Sequence, residues 1–67
     1  MEVDVDRLRE LRRLRALSQD ELSDASGVGR ATISRIERGE TGAQGRTLRK
    51  LAGALAVDVA ELVAKGD

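Results

Sequence analysis

No cysteine, histidine, proline or aromatic residue occurs among these 67 residues. Without cysteine, neither a disulfide nor a thiolate metal site holds the chain together, and without histidine the other usual zinc ligand is missing as well. The same gaps remove the common bases and nucleophiles of catalysis. Ser34, beside Arg35, has no base to activate it, and the carboxylates fall on helix starts and solvent faces with no acid–base pair among them. The stretch Gly39-Glu40-Thr41-Gly42-Ala43-Gln44-Gly45 lacks the Lys-Ser/Thr ending of a phosphate-binding loop and follows no strand. The expectation is a protein that is not an enzyme and holds no cofactor and no metal. No apolar run approaches the ~20 residues of a membrane span. The opening Met1 to Glu10 is acidic and alternating where a signal peptide would be apolar. This reads as a cytoplasmic chain with no membrane partner and a single domain over residues 1–67, its core at about 5–63, near the lower limit for a self-supporting fold.

What remains to build a core is Leu, Ile, Val and Ala, a composition that favours packed helices. Formal net charge is zero, which at first sight argues against a nucleic-acid partner, but the charges are unevenly spread. Residues 18–28 carry Asp20, Glu21 and Asp24 and no base, whereas residues 29–49 carry Arg30, Arg35, Arg38, Arg46 and Arg49 against Glu37 and Glu40. A neutral chain can therefore present one basic face. Ten of the twelve basic residues are Arg. Arg suits bidentate contact with phosphate and guanine, although a GC-rich genome produces the same bias with no functional meaning.

Periodicity predicts an all-α domain of five helices. The first, Asp4 to Leu14, sets Leu8 and Leu11 inward with Arg12 on their flank, and places Asp4 and Asp6 near its positive end. Ser18-Gln19-Asp20-Glu21 has the form of a capping box that starts the second helix. Leu22 faces inward there, Ser23, Ala25 and Ser26 allow close approach of a neighbour, and Gly27 supplies a left-handed C-cap with Val28 anchoring the turn. The third helix, Arg30 to Arg38, is ended by Gly39. At 100° per residue Ile33 and Ile36 share one side, while Ala31, Ser34, Arg35 and Arg38 lie opposite with Arg30 on their flank. The loop 39–45, with three glycines, is expected to be mobile. The fourth helix, Arg46 to Leu55, buries Leu48, Leu51, Ala52 and Leu55, with Gly53 costing roughly 1 kcal/mol relative to Ala. Asp58-Val59-Ala60-Glu61 opens a fifth helix carrying Leu62 and Val63, and Lys65-Gly66-Asp67 is expected to fray. Residues 17–40 thus have the layout of a helix-turn-helix, whose second helix enters the major groove of DNA. The bland alternative is an ordinary amphipathic helix with a solvated arginine face.

Leu8-Arg9-Glu10-Leu11-Arg12, Leu17-Ser18-Gln19-Asp20-Glu21-Leu22, Gly27-Val28, Thr32-Ile33-Ser34-Arg35-Ile36-Glu37-Arg38-Gly39 and Leu51-Ala52 with Leu55-Ala56-Val57 resemble, in order and spacing, the lambda-repressor-like (Cro/repressor, xenobiotic-response-element type) helix-turn-helix family. The resemblance runs from about Val5 to Val63. It implies that Arg30, Ala31 and Arg35, with Ser34 close by, occupy base-reading positions. Arg30 and Arg35 could each fork onto a guanine, a contact worth ~1–3 kcal/mol of discrimination, and Ala31 could touch a thymine methyl. It also implies that Ser18 and Gln19 grip phosphate at the start of the second helix, Gln19 bracing the recognition helix too, with Arg38 and Arg46 as further backbone contacts that set register. The family pattern pairs the positions of Arg12 and Glu37, and both residues flank the inner faces of their helices. A partly buried ion pair is expected there, with Arg12 close to a phosphate.

Several positions depart from the family pattern. Gly29 stands where Ser or Thr usually caps the third helix. Ser23 and Ser26 replace alanines and bring hydroxyls that need partners. The usual proline before the fourth helix is missing, Glu40 faces the expected phosphate side, and Ala56 stands where a glycine C-cap is common. Leu14 stands where a polar residue is more frequent; it either enlarges the core or is an exposed contact point, and Val59 and Val63 raise the same question. Such proteins commonly bind as two-fold dimers on half-sites ~34 Å apart, and a homodimer through the C-terminal helix is expected. Three functions fit. The first is a prokaryotic or phage transcriptional regulator, nucleoid-associated, a repressor of a palindromic operator in double-stranded DNA. The second is an antitoxin-type regulator that also holds a protein partner. The third is a helical interaction module without DNA binding, which zero net charge and Glu40 favour and the outward Arg30 and Arg35 oppose.

Overall fold

The computed structural model describes residues 1–64; the fraying expected at Lys65 to Asp67 lies outside them. Helix α1 spans Val5–Leu14. Asp4 caps it by accepting from the Arg7 amide at 3.1 Å, and Leu8 and Leu11 are its buried residues. The chain leaves α1 through Ala16, whose positive φ of 54° reverses its direction, and the Leu17 amide closes back onto the Arg12 carbonyl.

Helix α2, Gln19–Ser26, has both halves of its capping box in place. The Glu21 amide donates to Ser18 Oγ at 3.0 Å, and the Ser18 amide donates to Glu21 Oε1 at 2.9 Å. Two of the otherwise unpaired N–H groups at the helix start are thereby satisfied. Gly27, at φ 77°, ends α2 in the left-handed region, where a side chain would be strained. The two unusual hydroxyls both find partners in this turn: Ser23 Oγ donates to the Val28 carbonyl at 2.6 Å, and the Val28 amide donates to Ser26 Oγ at 3.1 Å. They therefore fasten the turn from both sides of Val28, which is buried.

Helix α3, Arg30–Glu37, starts at Gly29 with no side-chain cap and buries Ile33, Ile36 and Glu37. Helix α4, Gly45–Leu55, buries Leu48, Leu51, Ala52 and Leu55. Its C-cap Ala56 adopts φ 57°, the strained end that the missing glycine implied. Helices α2 and α3 pack together, α4 lies across α2, and α1 lies against α3. Leu8, Leu22, Ile33, Ile36, Leu48, Leu51, Leu55 and Leu62 are fully enclosed where these helices meet. Each such side chain contributes roughly 1.5–3 kcal/mol of burial.

The fold is all-α, as the periodicity predicts, but among the described residues it has four α-helices where five were expected. Residues Val59–Glu61 form a single 3-10 turn, and Asp58 makes no side-chain cap bond. The reason lies at the other end of the chain. The Asp4 amide donates to the Leu62 carbonyl at 2.9 Å, the Ala64 amide donates to the Glu2 carbonyl at 3.1 Å, and Val3 and Val63 form an antiparallel bridge. Backbone committed to this extended pairing cannot continue a helix. Val59 and Val63 pack partly buried against the core, whereas Leu14 stands 73% exposed.

The loop before α4 is also tied down. Met1 and Ala43 exchange both backbone hydrogen bonds, each 3.0 Å, and Ala43 is buried. A Cβ on Gly42 would collide with the Met1 carbonyl, so glycine is what lets the strand-like start of the chain lie against this loop. The glycine content suggested mobility; the long-range pairing fastens it instead.

Candidate nucleic-acid interface

Burying Ile33 and Ile36 turns the opposite side of α3 outward. Arg30, Ala31, Arg35 and Arg38 are exposed and Ser34 is half-buried, and these five line one open depression. The four residues read as base-contacting are thus brought together, with Arg38 beside them. A second depression lies where α1, α2 and α3 meet, lined by Val5, Arg9, Arg12, Gln19, Glu37, Arg38 and Gly39. Arg38 belongs to both, which makes the surface continuous. Five arginines and one carboxylate line the two depressions. A chain of zero net charge therefore does carry a local basic face. Arg9 was not among the sequence candidates; its position three residues before Arg12, one turn along α1, was the available signal.

Behind this face α3 is anchored through Glu37, the buried charged residue of the described chain, at 6% exposure. Arg12 donates to it twice, from Nε to Oε2 at 2.7 Å and from Nη2 to Oε1 at 2.9 Å, and its Nη1 donates to the Leu17 carbonyl at 2.8 Å. Gln19 Nε2 donates to Glu37 Oε1 at 3.3 Å. One carboxylate thereby joins all three helices of the interface: α1 through Arg12, α2 through Gln19 and α3 through its own backbone. The forked geometry of guanidinium on carboxylate fixes orientation as well as distance. Arg12 has its side chain only 14% exposed, so much of its donor capacity is turned inward.

Other placements differ from the simplest picture. Ser18 is exposed at the start of α2, its oxygen accepting from the Glu21 amide. The Ser18 amide that donates to the Glu21 carboxyl, and after it the Ser18 hydroxyl, holds that carboxyl below the usual carboxylate range. Arg46 is exposed in the first turn of α4 but lines neither depression. Two of the arginines on the α3 face already have carboxylate neighbours, which the sequence reading did not foresee. Arg30 Nε lies 2.9 Å from Asp20 Oδ1, and Arg38 Nε lies 2.6 Å from Glu40 Oε2. Among the described residues, Arg35 has no such partner. All four paired side chains are more than half exposed, so each is a surface pair of modest strength.

Residues 8–62 match the family model described as Helix-turn-helix. An uncharacterized HTH-type transcriptional regulator, RghRB, from Bacillus subtilis (strain 168) is 47% identical over 58 residues, which make up 85% of this chain and 42% of that protein. The crystal structure of the restriction-modification controller protein C.AhdI from Aeromonas hydrophila superposes with a TM-score of 0.81 at 38% identity, covering 85% of this chain and 86% of that one. An HTH_3 family transcriptional regulator from Vibrio cholerae superposes with a TM-score of 0.80 at 35% identity, covering 85% of this chain and 32% of that one. The chain thus spans less than half the length of the Bacillus and Vibrio proteins and most of the length of the Aeromonas one.

Proposed function

The chain belongs to the helix-turn-helix family of transcriptional regulators, and from that premise we propose that it binds double-stranded DNA sequence-specifically, with α3 in the major groove, as a repressor of a two-fold symmetric operator. The observation that carries this reading is the single outward face of Arg30, Ala31, Ser34, Arg35 and Arg38, set on a helix whose other side is locked into the core. In this reading Arg35 and Arg30 fork onto guanines, Ala31 meets a thymine methyl, and Ser34 reaches a base edge or the adjacent backbone. Ser18 and the first amides of α2, together with Gln19, Arg12, Arg38 and Arg46, approach phosphates and set register without reading sequence. The Arg12–Glu37 pair and Gln19 keep α3 at a fixed pitch relative to α1 and α2. A groove reader depends on this, because a rotation of the helix would misplace every base contact at once.

A homodimer fits a symmetric operator, with half-sites about one helical turn apart. Occupying a promoter would be enough for repression. A bacterial or phage origin and a cytoplasmic, nucleoid-associated location follow from the same reading. The carboxylates beside Arg30 and Arg38 favour a second reading, a helical module that binds a protein rather than DNA.

The test is selection from a randomised duplex pool with the purified protein, followed by a salt titration. Enrichment of a palindrome with half-sites one turn apart supports the sequence-specific dimer. No enrichment even at low salt supports the protein-binding module.

A further inference from the structure

The start of α2 and the start of α3 lie side by side in this fold, and each carries one exposed charged residue toward the other. Asp20 occupies the first turn of α2, which the capping box between Ser18 and Glu21 holds in place. Arg30 is the first residue of α3, where no side chain caps the helix. Asp20 Oδ1 sits 2.9 Å from Arg30 Nε. Nε belongs to the stem side of the guanidinium. Arg30 also lines the same depression as Ala31, Ser34 and Arg35, and its side chain is 66% exposed.

We propose that Asp20 is a positioning residue for base readout: its carboxylate holds the stem of Arg30 so that the two outer nitrogens point from α3 as a preset fork for a guanine edge. The inference rests on the reading of this face as a DNA interface and adds a residue of α2 to the determinants of specificity. An unpaired arginine side chain samples many rotamers and must lose that freedom when it forks onto a base. A carboxylate on Nε removes part of that cost beforehand and leaves free the pair of donors that matches O6 and N7 of guanine. Asp20 also carries a negative charge toward the DNA, so it opposes phosphate attraction that is blind to sequence. The two effects act together. Positioning raises affinity for the right base, repulsion lowers affinity for every duplex alike, and Asp20 thereby trades total affinity for discrimination. Arg38 carries a comparable partner in Glu40, but these residues lie two apart beyond the end of α3. Their pairing is local to that turn, whereas Asp20 reaches Arg30 across the two helices.

The experiment is a duplex selection with the wild-type chain and with Asp20→Ala, Asp20→Glu, Arg30→Ala and the Asp20→Ala/Arg30→Ala double variant. Equilibrium titrations then compare the selected duplex with the same duplex changed at the one base whose preference Arg30→Ala abolishes. Asp20→Ala is expected to lower discrimination at that base about fivefold, a part of what a full bidentate contact supplies, while affinity for an unrelated duplex rises. Asp20→Glu is expected to restore some of the discrimination. In the Arg30→Ala background the Asp20 substitution is expected to leave discrimination at that base unchanged. A purely structural role for Asp20 in α2 would weaken every duplex alike and leave base preference intact, and that result would overturn the proposal. So would an equal effect with and without Arg30. If the wild-type chain selects no sequence, the DNA-binding reading falls and this proposal with it. That outcome is distinct from one in which the wild type selects a site and Asp20→Ala leaves it unaltered.

Discussion

Replacing Glu37 by Ala should destabilise this domain far more than removal of any exposed charge. The carboxylate is 6% exposed and takes two hydrogen bonds from Arg12, whose own side chain is 14% exposed. Removing it strands a guanidinium in a nearly dry site, a change that costs ~3–5 kcal/mol for buried pairs. Arg12 keeps its bond to the Leu17 carbonyl at 2.8 Å and some contact with water, which places the loss near the lower end, about 3 kcal/mol. A domain of this size has roughly 3–10 kcal/mol in total, so the variant would sit at the edge of unfolding. At 4–8 °C per kcal/mol, the expected fall in midpoint is about 12–24 °C. With no aromatic residue for fluorescence, the assay is far-UV circular dichroism during urea and thermal unfolding. The Arg12→Met/Glu37→Leu double variant removes both charges and should recover a large part of the loss, less what the Leu17 carbonyl forfeits without its donor. The reasoning is refuted if Glu37→Ala costs less than about 1 kcal/mol, as an exposed pair would. It also fails if the double variant is as unstable as the two single losses added together.

Arg35→Ala is expected to relax base preference at one position by ~1–3 kcal/mol of discrimination, whereas Arg46→Ala should weaken all duplexes about equally and lower the salt slope by about one; titrations against matched and mismatched duplexes at several salt concentrations separate the two. Gly42→Ala drives a methyl into the Met1 carbonyl and should cost ~1–3 kcal/mol through the Met1–Ala43 hydrogen bonds, seen as faster amide exchange at Ala43. Ala56→Gly relieves a positive φ of 57° worth ~1–2 kcal/mol. It gives back about 0.4–1 kcal/mol in unfolded-chain entropy, so the thermal midpoint should rise by a few degrees. The Glu21 carboxyl is held low by the Ser18 amide and, after it, the Ser18 hydroxyl. Its contribution is therefore complete above the ordinary carboxylate range and lost as pH falls through the lower folded value. The stability difference between wild type and Glu21→Gln should be constant above about pH 5 and shrink as pH falls below the ordinary carboxylate range.

Features written in neighbouring residues were legible in the sequence. Ser18 and Glu21 are one helical turn apart, so their capping box follows from the local pattern alone, as do the left-handed Gly27 and the buried Ile33 and Ile36. The Arg12–Glu37 pair spans 25 residues; helix angles put both partners on the right flanks, but the family pattern was needed to join them. What the sequence hid were contacts between segments that carry no periodicity. Met1 to Asp4 read as an acidic lead-in because alternation over so few residues specifies no partner, and with that partner unseen Val59 to Val63 read as a helix. The ion pairs of Arg30 with Asp20 and of Arg38 with Glu40 were hidden for a different reason. Each residue has a plausible solvated role by itself, and only the placement of helix ends brings the charges together.

The clamp formed by Met1 to Asp4 also bears on the order of assembly. The contacts among α1, α2 and α3 join segments close along the chain and can form early. The bridge from Val3 to Val63 instead closes a loop of nearly the whole described chain. During synthesis at the ribosome, Val3 and Asp4 are made before α1, yet their partners Leu62 and Val63 are made only after α4. Val3 must wait, unpaired, while the helices condense around it. A nascent chain halted after α4 would therefore hold a nearly formed three-helix reading head, with the loop before α4 fastened on one side only. Leu62 to Ala64 would then act as the latch that fastens Glu2 to Asp4 in place.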